Sequence, residues 1–261
     1  MSAPGRSQAR IPQRAALQGS PVSAPVRPVS ATAVSTPPLH RHQLAWLAAG
    51  GWDELRRAPW DAQARACLDH WAARRLPLVI TQQGRVAAPP DEVIAMGLPA
   101  PRRWQRRRLA LAVRRRDVLY LDEFAHGPAL HKLLPDAAQA PWLALCAALR
   151  ACGAAPRVHG SYGWQHLTRL SYLQPESDLD LCIAVADASH ADAVAALLQD
   201  WHVPALRLDG ELVFDGGRAV AWREWLAWRS GRVRAVLVKD LHASWLSADP
   251  ASGAPLQQAA A

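Results

Sequence analysis

The chain has 261 residues, half of them apolar, with 30 Lys+Arg against 22 Asp+Glu and a formal charge of +8. This is the composition of a soluble globular protein with one large domain or two small ones. No apolar run approaches the roughly 20 residues that a membrane helix needs, which excludes a helical membrane protein. The charge invites a nucleic-acid partner, but its placement argues against one. Four arginines (Arg6, Arg10, Arg14, Arg27) fall in the acid-free residues 1–38, and eight more lie in the acid-free window Arg102–Arg116. Only Lys132 and Lys239 are lysines, so arginine is the default cation of this composition.

Residues 1–38 are rich in Pro, Ser and Ala with no amphipathic period, the composition of a disordered tail that a fold can dispense with or that an early start codon adds. Order is expected from about residue 39. Gln43, Trp46 and Leu47, and then Ala62 to Trp71, read as short helices broken by Gly50–Gly51 and Pro59. Leu78–Thr81, Leu109–Val113 and Val118–Leu121 read as strands, with Pro89–Pro90 between the first two. These elements form a small α+β module over 39–121.

The segment 122–250 reads as a second domain. Trp142, Leu145, Cys146 and Leu149 recur at helical spacing, and Cys152–Gly153 ends that helix. Arg157–His159 is a short strand, Asp178–Val185 a half-buried one, and His190–Trp201 an amphipathic helix. Asp209–Gly210 between Leu206 and Phe214 carries a hairpin signal. Ala219–Trp222 and Val233–Lys239 read as strands around a helical Trp222–Trp228, and 251–261 as tail. The four cysteines (Cys67, Cys146, Cys152, Cys182) contain no Cys-x-x-Cys pair and read as reduced thiols of a cytoplasmic protein.

The chemistry concentrates in Gly160–Ser161 and Asp178-Leu-Asp180. Side chains at i and i+2 of a strand share a face, so Asp178 and Asp180 project two carboxylates together. Such a pair repels itself unless a cation intervenes, and an all-oxygen donor set suits Mg²⁺ beside a substrate phosphate. A Gly-Ser turn opening a helix lets backbone N–H groups approach a phosphate closely. Either feature alone is weak. Asp178 and Asp180 could be a solvated strand edge, and His159 before the turn could be a packed core histidine or a phosphate donor.

The order strand, Gly-Ser, helix, Asp-x-Asp strand resembles the nucleotidyltransferase superfamily with its DNA polymerase β-like palm. Sixteen residues separate Ser161 from Asp178, more than the general pattern has. The full stretch Gly160-Ser-Tyr-Gly-Trp-Gln-His-Leu-Thr-Arg-Leu-Ser-Tyr-Leu-Gln-Pro-Glu-Ser-Asp-Leu-Asp-Leu resembles the phosphoribosyl-dephospho-CoA transferases of malonate decarboxylase. Arg41-His-Gln-Leu-Ala-Trp, Leu98-Pro-x-Pro-x-Arg-Trp, Arg207-Leu-Asp-Gly-Glu-Leu and Ala219-Val-Ala-Trp-Arg-Glu-Trp resemble that family too, so the likeness spans about 39–245.

The resemblance implies an α+β fold: the small N-terminal module followed by a palm domain with a mixed sheet. It implies transfer of the prosthetic group of 2'-(5''-triphosphoribosyl)-3'-dephospho-CoA to a serine of the apo acyl-carrier subunit, with release of diphosphate. Asp178 and Asp180 would hold Mg²⁺, and Gly160 and Ser161 would grip the triphosphate. A third carboxylate is expected from Asp209, with Glu211 second, although Asp209 could equally serve only its Asp-Gly turn. Arg169, Arg223 and Lys239 are candidate triphosphate contacts, or else surface cations, and Trp164 could stack on a base or sit in the core. The Arg102–Arg116 window is either a solvated edge or an attraction for the anionic donor or an acidic carrier protein.

Two rival classes remain at this level. One is the same fold using a nucleoside triphosphate on another acceptor, a small molecule, protein or RNA end. The other is a non-catalytic nucleic-acid-binding module, which accounts for the charge but not for Asp178, Asp180 and Asp209 converging. Recognised RNA-binding and zinc motifs are absent.

Overall fold

The computed structural model describes residues 38–84, 93–204 and 206–256. The expectations for the first 37 residues and for Pro89–Pro90 lie outside that range. Two sheets with helices make up the described chain, a mixed α/β architecture. The first has strand order β4 (Arg108–Arg114), β3 (Val93–Pro99), β2 (Leu78–Ile80), β1 (Leu44–Leu47), β5 (Val118–Asp122) and is antiparallel throughout; the second has order β11 (Ser244–Ser247), β10 (Val236–Lys239), β9 (Ala219–Ala221), β8 (Leu208–Val213), β7 (Leu179–Ala184), β6 (Arg157–Val158).

The first sheet opens with β1 (Leu44–Leu47), where helix was expected. Leu44, Ala45 and Leu47 are buried, and β1 is flanked by β2 (Leu78–Ile80) and β5 (Val118–Asp122). A short apolar run covered on both faces has no period that separates strand from helix. The Gly50–Gly51 pair does not break α1 (Ala49–Arg57) but lies inside it, and Gly51 packs so tightly on Asp117 that a Cβ would sit 2.9 Å from the Asp117 Cβ. Helix α2 (Ala62–Arg74) starts where the Asp61 carboxylate accepts from the Ala64 N–H at 2.9 Å. It ends at Arg75, whose φ of 50° is left-handed. Strands β3 (Val93–Pro99) and β4 (Arg108–Arg114) pair over seven residues. Leu109, Leu111 and Val113 of β4 face the core with Cys67, Leu68 and Trp71 of α2.

The second sheet carries β6 (Arg157–Val158), β7 (Leu179–Ala184), β8 (Leu208–Val213), β9 (Ala219–Ala221), β10 (Val236–Lys239) and β11 (Ser244–Ser247). Helices α3 (Asp136–Ala151), α5 (Ala188–Gln199) and α6 (Trp222–Arg229) bury Trp142, Leu149, Val194 and Trp225 against it. β7 and β8 are parallel, and α5 supplies the crossover that a parallel pair requires. The expected hairpin at Asp209–Gly210 is therefore wrong: both residues lie within β8. A Cβ on Gly210 would press on the Leu181 carbonyl of β7 at 2.6 Å, so this glycine permits close strand approach rather than a turn. Residues 251–254, expected as tail, are tied down: the Trp245 indole donates to the Gly253 carbonyl at 3.0 Å and Arg218 to the Ala251 carbonyl at 3.2 Å.

Buried aromatics join the two sheets. Phe124, Trp164 and Tyr172 belong to the first core although the last two follow β6, and the Tyr172 hydroxyl donates to the Pro99 carbonyl at 2.8 Å. The Gln83 backbone N–H donates to the Leu241 carbonyl at 2.7 Å, and that of Arg102 to the Ser171 carbonyl at 3.3 Å.

Candidate active site

Helix α4 (Gly160–Thr168) follows β6 through His159. Its first residue has φ +57°, a conformation that glycine adopts without strain, and any Cβ there would overlap the Asp180 carboxylate. The missing side chain of Gly160 thus makes room for Asp180 at the mouth of the helix. The His159 amide donates to the Asp180 backbone carbonyl at 3.0 Å, which ties this turn to β7. Gly163 plays a packing role one turn on, where a Cβ would clash with the Val158 carbonyl. The turn therefore presents the free N–H groups of the first helical turn beside a carboxylate, with Ser161 adjacent.

The parallel register sets Asp180 directly beside Asp209. Burial, then Asp209, then Asp178, pushes the Asp180 carboxyl up to about 6. Arg207, two residues before Asp209 and so on the same strand face, was not singled out from the sequence. Its guanidinium lies 3.3 Å from Asp178 and 3.1 Å from Asp209. Among the described residues no three acidic, His or Cys side chains close around one point. Arg207 is 62% exposed, so its bridge to the two carboxylates is made at the solvent edge. What remains is three oxygen-only groups, one desolvated and holding its proton too tightly, which is the donor chemistry that a hard divalent cation satisfies.

Glu211, two residues beyond Asp209 on β8, meets a different set of partners. Arg41 lies at 3.2 Å, Lys239 at 3.1 Å and His42 Nε2 at 3.4 Å, the last long for a hydrogen bond. Although burial opposes it, His42 and then the charges of Arg41 and Lys239 hold the Glu211 carboxyl well below the usual range. Glu211 thus fastens the segment before β1 and strand β10 to β8, while Asp209 is the one beside Asp180. His42 (φ 65°) stacks on His159 with ring centroids 4.2 Å apart. Burial pushes His159 down to about 3, so its ring is neutral, and its Nε2 has no hydrogen-bond partner among the described residues.

A cleft of about 930 Å³ opens from this point and is lined by Arg41, His42, His159, Gly160, Ser161, Trp164, Asp180 and Lys239 at one end. Trp164 is buried, edge-on to Phe124 at 5.4 Å, so its ring is a wall of the joint more than a free platform. Arg169 and Arg223 are not brought to the cleft. Arg169 caps the far end of α4, about 12 Å along the helix from Ser161. Arg223 donates to the Leu208 carbonyl at 3.1 Å and lies over the Trp222 ring, beside a separate depression under α6.

Comparison with known proteins gives matches over both halves of the chain. The model of the phosphoribosyl-dephospho-CoA transferase MdcG N-terminal domain matches residues 40–124, and that of the MdcG C-terminal domain matches 124–250. A phosphoribosyl-dephospho-CoA transferase of Xanthomonas campestris pv. campestris (strain 8004) is 35% identical over 200 residues, 76% of this chain and 89% of the relative. Another from Xanthomonas euvesicatoria pv. vesicatoria is 35% identical over 204 residues, 77% of this chain and 90% of that protein. One from Bradyrhizobium diazoefficiens is 34% identical over 194 residues, covering 72% and 82%. No solved structure matches.

Proposed function

Because the chain belongs to the phosphoribosyl-dephospho-CoA transferase family, we propose that it transfers the prosthetic group of 2'-(5''-triphosphoribosyl)-3'-dephospho-CoA to a serine of the apo acyl-carrier subunit of malonate decarboxylase. The observation that carries this reading is the meeting of the Gly160–Ser161 helix mouth with the registered Asp180–Asp209 pair. The serine oxygen attacks the phosphorus nearest the ribose. A new P–O–serine bond forms, the bond to the bridging oxygen breaks, and diphosphate leaves with its electron pair.

The residues act by binding and orientation. The N–H groups of the first turn of α4 and the Ser161 hydroxyl hold phosphate oxygens, and Lys239, although paired with Glu211, adds positive charge to the same wall. Asp178, Asp180 and Asp209 are the residues that would hold Mg²⁺, which when bound would neutralise charge on the phosphoryl oxygens. Asp180, relieved of its proton near neutral pH, is the first of the three whose environment asks for that cation. On this reading residues 122–250 form a nucleotidyltransferase palm, the 39–121 module serves substrate and partner binding, and the protein works in the cytoplasm with neither nucleic acid nor membrane.

The test is mass spectrometry of an apo carrier subunit incubated with the protein, Mg²⁺ and the triphosphoribosyl donor. A serine adduct of the prosthetic group, lost in Asp180→Ala and Asp178→Ala, is expected. No adduct, with labelling from ATP or CTP instead, refutes the assignment and moves the acceptor elsewhere.

A further inference from the structure

The proposed donor is anionic at two places: the triphosphate, which the α4 end accounts for, and the diphosphate of its dephospho-CoA half, for which nothing above provides. The cleft is far larger than a triphosphate and has a volume typical of nucleotide-sized ligands. Its other arm runs over the first sheet, where Val79, Gly97 and Ala110 lie in register across β2, β3 and β4 as a low floor. The rim of that arm is Arg102, Arg106 and Arg108.

The arginines of this window divide by what they touch. Arg103 lies over the Trp104 ring at 3.5 Å, Arg107 bonds Asp61 at 2.6 Å, and Arg114 bonds Asp117 at 2.9 Å. Arg102, Arg106 and Arg108 have no acidic partner within ion-pair distance among the described residues, and these three line the cleft. The turn presenting them is tightly made. Trp104 is its buried anchor, and the amides of Gln105, Arg106 and Arg107 donate to the carbonyls of Arg102, Pro101 and Trp104. Gln105 and Arg106, both non-glycine, have φ of 54°. Successive left-handed residues are costly and mark places where a fold holds side chains in a set position.

We propose that Arg102, Arg106 and Arg108 form a second anion subsite that binds the diphosphate of the donor's dephospho-CoA half over the Val79–Gly97–Ala110 floor. The inference rests on the function proposed above for the choice of ligand. Guanidinium groups pair with phosphate in two-pronged, charge-assisted hydrogen bonds, so three unpaired ones on a concave wall suit a diphosphate. A small ligand is favoured over a docked acidic protein because the three arginines line the cavity that holds Asp180, while the outward-facing Arg116 of the same cluster is not part of it.

The probe is dephospho-CoA without the triphosphoribosyl group, titrated calorimetrically into the full chain, with Mg²⁺-tripolyphosphate titrated in parallel. R102Q/R106Q/R108Q is expected to weaken dephospho-CoA binding by about tenfold or more, given the strength of charge-assisted contacts, and to leave tripolyphosphate binding unchanged. Ala110→Trp, which fills the floor from an exposed position, should weaken it as well, and Arg116→Gln should not. In transfer assays the triple variant should raise the donor KM more than it lowers kcat. Equal dephospho-CoA affinity in wild type and triple variant, or no binding by wild type, overturns the subsite. So does a triple variant that keeps dephospho-CoA affinity and loses affinity for the apo carrier protein. Arginine-dependent dephospho-CoA binding by a wild type that transfers nothing would leave the subsite standing and refute the transferase reading instead.

Discussion

Gly160→Ala isolates the geometry on which the site depends. The native residue sits at φ +57° with Asp180 filling the space where a side chain would be. Alanine therefore meets two costs. Holding a non-glycine residue in the left-handed region costs about 1–3 kcal/mol. Each kcal/mol moves the melting temperature by about 2–4 °C in a chain of this size. The second cost falls on function. The methyl group and the carboxylate cannot share one volume, so either the turn unwinds or Asp180 moves by the order of a carbon radius. A misplacement of about 1 Å in a positioned catalytic group costs on the order of 100-fold in rate. The prediction is a folded protein with a lower melting temperature and at least that loss of carrier labelling, read by mass spectrometry beside a thermal melt. Gly160→Ala with wild-type rate and melting temperature would show that Asp180 does not depend on the missing side chain, and the site would have to be redrawn.

Three further outcomes follow from the electrostatics and from residues that the fold keeps apart. With a chelator present, wild type should lose stability as pH rises from about 4 through about 6, because the folded chain holds the Asp180 proton more tightly than the unfolded chain, whose carboxyl titrates near 3.8. Asp180→Asn removes that loss and should be more stable than wild type at pH 8 by on the order of 1–3 kcal/mol, while abolishing transfer; parallel urea profiles for the two proteins would contradict this. Glu211→Gln leaves Arg41 and Lys239 without their anion and should cost about 2–4 kcal/mol by urea unfolding, short of a fully buried pair. The Glu211 contribution is present above the ordinary glutamate range and lost as pH falls below it, so the gap between wild type and variant should shrink toward acid pH. Arg169→Ala and Arg223→Ala should leave the donor KM unchanged, since neither side chain reaches the cleft; a rise in KM with either would place the triphosphate elsewhere.

Where local pattern and burial coincide, the sequence was readable. The helical spacing of Trp142, Leu145, Cys146 and Leu149 gave α3, and the alternation from Asp178 onward gave β7 with its buried Leu179, Leu181 and Ile183 face. Reading failed where tertiary pairing decides. β1 is apolar on both faces, so its helix-like spacing was accidental, and the strands β3 and β11 were not anticipated. Asp209–Gly210 looked like a turn because the dipeptide signal is local, whereas the glycine answers to the Leu181 carbonyl on a neighbouring strand. The same limit applies to the site. Spacing and resemblance singled out Asp180 and placed Asp209 ahead of Glu211, but that Asp209 lies beside Asp180 while Arg41 and Lys239 surround Glu211 follows only from the register of β7 on β8 and from contacts distant in the chain. Arg207 was visible in principle, two residues from Asp209 and just before β8, but nothing local distinguishes it from a solvated cation.

The position of the +8 charge now has a physical reason tied to how the cleft is built. Its walls come from two sheets, and such clefts commonly open and close by hinge motion. Here the joint is made of Phe124, Trp164 and Tyr172 packed in one core, and of Glu211 gripping Arg41 from before β1 and Lys239 from β10. Separating the walls would expose that aromatic surface and strip a half-buried carboxylate of its cations, each an expensive step. A cleft fixed in this way cannot adjust to a flexible polyanion by closing on it. Its walls must already carry the complementary charge, and Arg102, Arg106 and Arg108 on one side of the cleft, with Lys239 and Arg41 beside Gly160 and Asp180, are the cations that line it.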